Sequence, residues 1–360
     1  SMNKQLLDLY TDYLLSSFGA TTATGFSELV KGEISHDEIT RMLRSERATG
    51  KHLWLYVKPF VRTIESKEGV LIIDDSIEEK EYTDENEIIC WHWDHCKNRS
   101  IKGINFVSAL YYSENVSLPV GFEIVAKTEQ YIDEKTGQAK RRSPVTKNEM
   151  ARLLICQAVT NQVCFAYVLA DIWFAAVETM LLIKLDLEKE FIFALKDNRK
   201  VALSLEDKHN GRYQRIDALD MPDNSTRIVF LEGVSFPLLL VKQLFTNEDC
   251  STGLRYLVSS DISLNFDQAT TIYQKRWKVE LYHRSLKQNA ALAKSPTRTV
   301  TTQTNHFFAS LCAFVKLESL ALATKRNHYA LKSSLYIRAL RSAFDELLSL
   351  KNSFPLVTSA

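Results

Sequence analysis

The stretch GVLIIDDS, residues 69–76, marks the point where the sequence changes from helical spacing to a compact apolar run. Asp74 and Asp75 follow that run directly, so it predicts a buried strand that ends in carboxylates. A second apolar run, CFAYVLAD, also ends on an aspartate, Asp171. Because site residues collect at the carboxyl ends of strands in open α/β sheets, these aspartates are candidates for one shared site.

The patterns on either side of these strands predict an α/β protein: a mixed-sheet core with a β-rich insertion and helical N- and C-terminal regions. Capping-box pairs at Ser35 and Glu38, and at Thr146 and Glu149, predict two helix starts. The expected segments are a helical N-terminal region at 1–66, the first part of the core at 67–199, the insertion at 200–262, a core helix at 263–295 and a helical C-terminal region at 296–360.

The composition is that of an ordinary globular protein, with 360 residues, 45% hydrophobic residues and a formal net charge of +1. This balance provides no general positive field, so a nucleic-acid partner has to be argued from local clusters. Six scattered cysteines favour reduced thiols in the cytoplasm. Lys316 and Glu318 interrupt the most apolar late segment, which favours a core helix and no membrane span.

A third carboxylate lies in YQKRWKVELYHRSLK, residues 273–287, which has the pattern of one helix. At about 100° per residue, Tyr273, Arg276, Glu280 and Lys287 share a narrow stripe. The charge of Glu280 would repel a DNA phosphate among these groups unless a divalent cation lay between them. The pattern therefore predicts a metal ligand at this position.

Three carboxylates, Asp75, Asp171 and Glu280, are enough to hold two Mg²⁺ ions about 3.5–4 Å apart for phosphoryl transfer, if the two strands are neighbours. Mn²⁺ is the expected substitute. Strand alternation places only one of Asp74 and Asp75 on the site face. The alternative is that each aspartate only caps a turn or helix and that the glutamate is an ordinary helix residue.

The stretch CWHWDHC, residues 90–96, offers cysteine and histidine at four positions, but their spacing does not match a standard zinc finger. A loop beside the site is favoured, with Trp91 and Trp93 packing or stacking on bases, and metal binding there stays open.

A basic segment at 135–147 and another at 325–341 are either solvated surfaces or phosphate contacts. The N-terminal helices are either a DNA-binding module or simply packed helices.

The spacing Tyr273-x2-Arg276-x3-Glu280-x6-Lys287 resembles the Tyr-Arg-Glu-Lys signature of bacterial insertion-sequence transposases of the DDE class. The stretches IIDDS and VLAD resemble the two aspartate strands of that family, and FALKDNR is similar to the strand that follows the second. The resemblance implies an RNase H-like core and a Mg²⁺-dependent DNA transposase that cleaves transposon ends and joins their 3′ hydroxyls to target DNA.

The family's metal-binding triad corresponds to Asp75, Asp171 and Glu280 in this sequence. Asp75 is preferred to Asp74 because the family's catalytic residue directly precedes a hydroxyl residue. Ser76 stands where threonine is frequent in the family, and no glycine follows the second aspartate, which leaves substrate specificity open.

The resemblance further implies double-stranded DNA partners, namely terminal inverted repeats and target DNA, and a homodimer in the DNA-bound state. It also implies a bacterial cytoplasmic location with nucleoid association on DNA. The alternatives are an RNase H-like nuclease without strand transfer and a non-catalytic DNA-binding protein derived from a transposase. The predicted DNA contacts are Tyr273, Arg276, Lys287, Arg284, Arg141, Arg142 and Lys147.

Overall fold

A computed structural model of the chain describes residues 2–353. The helices are α1 (Lys4–Ser16), α2 (Ala23–Leu29), α3 (His36–Leu43), α4 (Gly50–Ile64), α5 (Lys147–Thr160), α6 (Val177–Leu181), α7 (Leu205–His209), α8 (Phe266–Gln274), α9 (Trp277–Gln288), α10 (Val300–Thr324) and α11 (His328–Ser353). The strands are β1 (Val70–Glu79), β2 (Ile89–Asp94), β3 (Arg99–Ser113), β4 (Val116–Ile124), β5 (Glu129–Ile132), β6 (Ala139–Arg142), β7 (Tyr167–Ala170), β8 (Glu190–Leu195), β9 (Lys200–Ala202), β10 (Gln214–Arg215), β11 (Ser225–Leu231), β12 (Leu238–Thr246) and β13 (Thr252–Ser259).

The central sheet is mixed, with strands in the order β4-β3-β1-β7-β8. β1 is antiparallel to β3 and parallel to β7, and β7 is parallel to β8. After β4 and the β5–β6 hairpin, α5 leads into β7 and packs on β3 and β4, which covers the sheet as a crossover helix does. The predicted α/β class, with a mixed-sheet core and helical regions toward both ends, is confirmed.

The β-rich insertion extends this central sheet. β13 pairs antiparallel with β8, and β12, β11, β9 and β10 follow outward in that order. The apolar strand residues 238–241 and 256–258 are buried, as expected of inner strands. The predicted insertion is therefore present as added strands of one sheet.

The predicted capping boxes are both present. The Ser35 amide donates to Glu38 Oε2 at 2.8 Å, and the Thr146 amide donates to Glu149 Oε2 at 2.7 Å. In return, each hydroxyl accepts from the amide of its glutamate. The bonds from the backbone amides lower the pKa of both carboxyls. These four side chains fix where α3 and α5 begin.

Two predicted boundaries are wrong. β1 does not end at the aspartates, because β3 pairs with it along its whole length, from Val70 to Glu79. Residues 90–94 of the predicted loop belong to β2, which pairs with the other edge of β3. In both cases the long strand β3 provides hydrogen-bond partners that local sequence does not reveal.

Residues 173–185 have the apolar spacing of one helix, but this segment is irregular in the structure. It consists of a 3₁₀ turn at Ile172–Phe174, the short α6 and a π-helical turn at Leu182–Asp186. The 3₁₀ turn begins where Asp171 accepts a hydrogen bond from the Trp173 amide. The position of the second aspartate strand is unaffected by this difference.

The chain divides into two compact units. One comprises residues 48–283, with α4 and the sheet, and the other comprises residues 2–47 and 284–353. The boundaries of the five predicted segments stay predictions.

Within the helical unit, α10 packs against α1, α3 and α11. Asn305 of α10 donates to the Leu43 carbonyl at 2.9 Å, and His306 Nδ1 lies 3.1 Å from the Tyr10 hydroxyl. α10 is the one helix among the described residues that is long and apolar enough to cross a membrane, but 56% of its most apolar window is buried in the protein. This burial is typical of a core helix.

Gly103 tests the close contact between β3 and β1. A Cβ there would lie 2.1 Å from the Glu78 carbonyl oxygen, whereas a Cβ at Gly50 meets only ordinary contacts, the nearest at 3.6 Å. We expect Gly103→Ala to lower the free energy of unfolding by about 1–3 kcal/mol. The matched control Gly50→Ala should leave it unchanged or raise it by up to about 1 kcal/mol.

Urea unfolding followed by tryptophan fluorescence measures both variants in the correct unit, because all five tryptophans lie within residues 48–283. Equal midpoints for the two variants would contradict the close packing of β1 on β3.

Candidate metal and nucleic-acid site

The two aspartate strands are neighbours. β1 and β7 run parallel, and Ile73 is paired with Ala170 at the last position of the ladder. Asp74 and Asp171 are the next residues on the two chains, about 4.8 Å apart across the sheet if the spacing continues. The sheet therefore brings together two carboxylates that are almost a hundred positions apart in the sequence.

Asp74 is the more buried carboxylate of the doublet, with 6% of its surface exposed. Burial, and then the negative charge of Asp171, raises the pKa of Asp74 well above its ordinary value. Arg276 opposes this shift from 3.5 Å. Burial also raises the pKa of Asp171. The site therefore concentrates acidic groups around Asp74, where solvent screens their charge poorly.

The predicted continuous helix at 273–287 is interrupted between α8 and α9. The Arg276 amide donates to the Tyr273 carbonyl at 2.9 Å, a bond to the third preceding residue that tightens the chain into a turn. The guanidinium of Arg276 then lies 3.5 Å from Asp74 and 3.6 Å from Glu280. The single-stripe prediction is corrected accordingly, because the four signature residues do not share one uninterrupted helix.

Glu280 joins a cluster of possible ligands. One ligand atom from each of Asp74, Glu280 and His283 lies within 4.8 Å of the others, and this is the one such group of three among residues 2–353. Two carboxylate oxygens and an imidazole nitrogen form a donor set that suits a divalent cation, so the residues fit the metal that the sequence predicts. Sequence reasoning missed His283, although the spacing Glu280-x-x-His283 places both on one helix face.

Asp75 lies in a different environment from Asp74. Its Oδ2 accepts from Lys147 Nζ at 2.6 Å, at the start of α5. Alternation along β1 directs the two side chains to opposite faces. The charge of Asp75 nevertheless contributes to the raised pKa of both Asp74 and Asp171, so all three carboxylates interact. The selection of Asp75 as the catalytic member of the doublet stays a prediction.

Asp171 and Tyr273 both have structural partners at the end of β7. Asp171 Oδ1 accepts from the Trp173 amide at 2.9 Å, so this aspartate does cap the following turn, as the structural alternative expects. The Tyr273 hydroxyl donates to the Ala170 carbonyl at 3.2 Å, and the Arg255 guanidinium lies 5.0 Å from the ring centre. Tyr273 is only 2% exposed. It fastens α8 to the strand end and presents no surface to DNA in this structure.

The other predicted DNA contacts lie on different elements. Arg141 and Arg142 lie on the exposed β5–β6 hairpin, where Arg142 pairs with Glu129 at 3.0 Å. Arg284 is exposed and Lys287 is half-buried, and both follow the cluster residues on α9. These positions stay predictions.

The cysteine and histidine residues at 90–96 do not assemble into a metal-ligand group among the described residues. Cys90 Sγ lies 3.4 Å from His92 Nε2 in a buried contact. Burial lowers the pKa of His92 to about 3, which keeps this imidazole neutral. His95 is exposed and stacks on Trp173 at 4.1 Å between ring centres.

Comparison with known proteins provides one family match. A family profile described as DDE superfamily endonuclease matches residues 2–219, which include the aspartate strands and end before Glu280. A solved structure of the Drosophila P element transposase strand transfer complex is similar over 57% of this chain and 46% of that chain, with 11% identity and a TM-score of 0.27. The chain thus spans less than half of that transposase. No curated protein matches the sequence.

The raised pKa of Asp74 predicts how stability depends on pH in metal-free buffer. The folded state holds the proton of this carboxyl more tightly than the unfolded state, whose pKa is near 3.8. The contribution of Asp74 is therefore complete below pH 3.8 and is lost as pH rises through the raised value. We expect Asp74→Asn to flatten the fall in the free energy of unfolding as pH rises above 3.8.

Urea unfolding in the presence of a chelator, at several pH values, measures this effect. Asp84→Asn, at an exposed position in the same unit, serves as the control and should keep the wild-type pH dependence. A wild-type pH slope in the Asp74 variant would contradict the assignment of the raised pKa to this carboxyl.

Proposed function

The chain belongs to the DDE superfamily endonuclease family, and we propose that it is a DNA transposase that cleaves transposon ends and joins their 3′ hydroxyls to target DNA. The observation that carries this proposal is the approach of Asp74, Asp171 and Glu280 around one arginine, Arg276. These carboxylates come from two adjacent strands and a late helix. Carboxylates that repel one another at a half-buried strand end are expected where cations complete the site.

The proposed ligands are Asp171, Glu280 and a member of the Asp74–Asp75 doublet, with His283 as a nitrogen donor. When bound, Mg²⁺ or Mn²⁺ would activate the attacking oxygen and stabilise the leaving oxygen of the phosphodiester. The imidazole of His283 favours Mn²⁺ over Mg²⁺ at the position it shares.

Cationic side chains hold the carboxylates in place and compensate their charge. Arg276 lies between Asp74 and Glu280, so it orients both while its positive charge offsets their repulsion. Lys147 does the same for Asp75 and stands at the beginning of a helix, where the helix dipole also attracts anions. In the proposed reaction, Lys147 exchanges its carboxylate partner for a DNA phosphate.

The DNA partners follow from the same proposal: double-stranded terminal inverted repeats and target DNA, held by a homodimer. Arg141 and Arg142 contribute exposed positive charge on a projecting hairpin, and Arg284 and Lys287 contribute it on α9. Such contacts raise affinity for any sequence and are sensitive to salt. Tyr273 acts by positioning α8. The proposed setting is a bacterial insertion sequence, with the protein in the cytoplasm and on the nucleoid.

A nuclease without strand transfer is the second candidate, because cation-assisted hydrolysis requires only the same carboxylates and the family is one of endonucleases. The DNA on either side of the coding region provides the test substrate, since a transposase requires matched inverted ends there. A duplex with such an end and a free 3′ hydroxyl, incubated with target plasmid and Mg²⁺ or Mn²⁺, should yield joined products. Cleavage without any joined product would favour the nuclease.

Glu280→Gln should reduce both cleavage and joining by about 100-fold or more, because it removes a ligand charge while the side-chain shape is kept. Glu248→Gln, at an exposed position of the insertion, is the matched control and should retain wild-type activity. Unchanged activity in the Glu280 variant would refute its ligand role.

Asparagine substitutions at Asp74 and Asp75 test which of the two carboxylates is the cation ligand. The resemblance assigns the catalytic role to Asp75, whereas Asp74 lies in the cluster with Glu280 and His283. If the cluster geometry defines the cation site, Asp74→Asn should weaken Mn²⁺ binding measured by calorimetry at least about 10-fold, and Asp75→Asn should not. The reverse result would select Asp75 and show that Asp74 serves mainly to fix Arg276.

A further inference from the structure

An arginine of the insertion, Arg255 on β13, is half-buried and has no acidic partner among residues 2–353. Its guanidinium carbon lies 5.4 Å from the ring centre of Phe245 and 5.0 Å from that of Tyr273, so two aromatic rings flank it. Its Nε donates to Gln243 Oε1 at 2.7 Å. The two terminal nitrogens donate no hydrogen bond to any residue that the structure describes.

The charge of Arg255 is therefore only partly compensated. Burial lowers the pKa of this guanidinium, and the positive charge of Arg276 lowers it further. Aromatic faces attract a cation, but two rings and a neutral amide do not neutralise it. The planar fork of an arginine matches the oxygens of a phosphate, which can accept two parallel hydrogen bonds. An anion of this kind is the partner that the side chain lacks.

The insertion strands fix this side chain in place. In the ladder between β12 and β13, Gln243 lies opposite Arg255 and Phe245 lies opposite Gly253. A Cβ at Gly253 would lie 2.3 Å from Phe245 Cζ, so the missing side chain lets the aromatic ring lie across β13. Paired strands position a binding group more precisely than a loop does.

Tyr273 connects Arg255 to the candidate cation site. The Tyr273 hydroxyl donates to the carbonyl of Ala170, the residue directly before Asp171. Burial raises the pKa of Tyr273 to about 12, while the charge of Arg255 lowers it and that of Asp171 raises it. Both charges therefore lie within electrostatic reach of one ring, and Arg255 borders the site on the side of the insertion.

We propose that Arg255 binds a backbone phosphate of the DNA duplex beside the cleaved bond, through its two terminal nitrogens. The inference rests on the proposed function, because it assigns a further DNA contact to the same site. Arg276 cannot replace it, since that guanidinium already lies between Asp74 and Glu280. Arg255 positions the DNA and takes no part in holding the cations.

A salt titration of DNA binding tests the charge contact. The duplex carries the inverted end from the DNA beside the coding region, and fluorescence anisotropy is recorded with a chelator so that nothing is cleaved. Arg255→Gln should weaken binding by about 10-fold and reduce the slope of log affinity against log salt by about 1, the value for one phosphate contact. Arg227→Gln, at an exposed position of the same insertion, is the matched control and should keep the wild-type slope.

Gln243→Glu tests the same charge while the arginine is retained. A carboxylate at this position would pair with Arg255 and compete with the phosphate, so DNA binding and the salt slope should fall as in Arg255→Gln. The free energy of unfolding should stay unchanged or rise. Gln214→Glu adds the same charge at an exposed position of β10 and should bind DNA as the wild type does. Wild-type DNA binding by Gln243→Glu would show that Arg255 serves only in packing.

Methylphosphonate substitutions, each of which removes the charge of one phosphate, identify the partner of Arg255. In the wild type, one substitution should weaken binding by about the same factor as Arg255→Gln, and in Arg255→Gln that substitution should have no further effect. Arg227→Gln should remain sensitive to it.

The results separate this inference from the proposed function. If the wild type binds and joins the duplex ends but every methylphosphonate weakens Arg255→Gln as much as the wild type, the arginine contact is overturned and the transposase stands. A wild type that binds no duplex end would overturn both. Calorimetry should give the same Mn²⁺ affinity for Arg255→Gln and the wild type, and a loss of Mn²⁺ binding would contradict a role confined to DNA.

Discussion

The parallel pairing of β1 with β7 is the interaction on which the site depends. It ends at Ile73 and Ala170, so the next residue on each strand is an aspartate at the same level of the sheet. β3 continues to support β1 beyond that point, which keeps Asp74 and Asp75 in extended backbone instead of a mobile loop. A rigid strand therefore carries the first carboxylates, and precise placement of this kind is what a cation site requires.

This arrangement brings carboxylates that repel one another close together, and the positive charge of Arg276 offsets part of that repulsion. Its position depends on the tightened turn between α8 and α9, because an uninterrupted helix would direct the guanidinium elsewhere. The buried Tyr273 hydroxyl fastens the same turn to the end of β7. Two residues of the predicted DNA-contacting signature are thus used to hold the carboxylates together.

The sequence was sufficient to predict the apolar strands and the capping boxes, because each depends on local spacing. The assignment of Asp75, Asp171 and Glu280 as metal ligands stays a prediction. It could not reveal the break at Arg276, since lysine, arginine and tryptophan all suit a helix and the break results from contacts with distant residues. It also could not show that β3 extends β1 past the aspartates. His283 was visible in the spacing, but its relevance depended on knowing that Asp74 lies nearby.

We expect acidic side chains that are far apart in the sequence to share divalent cations. A crystal structure of the protein with Mn²⁺, with anomalous scattering recorded at the manganese edge, measures this most directly. Anomalous density bounded by Asp171, Glu280 and the Asp74–Asp75 doublet is the expected result. Well-ordered carboxylates at these positions without manganese between them, in crystals that hold the ion elsewhere, would contradict it.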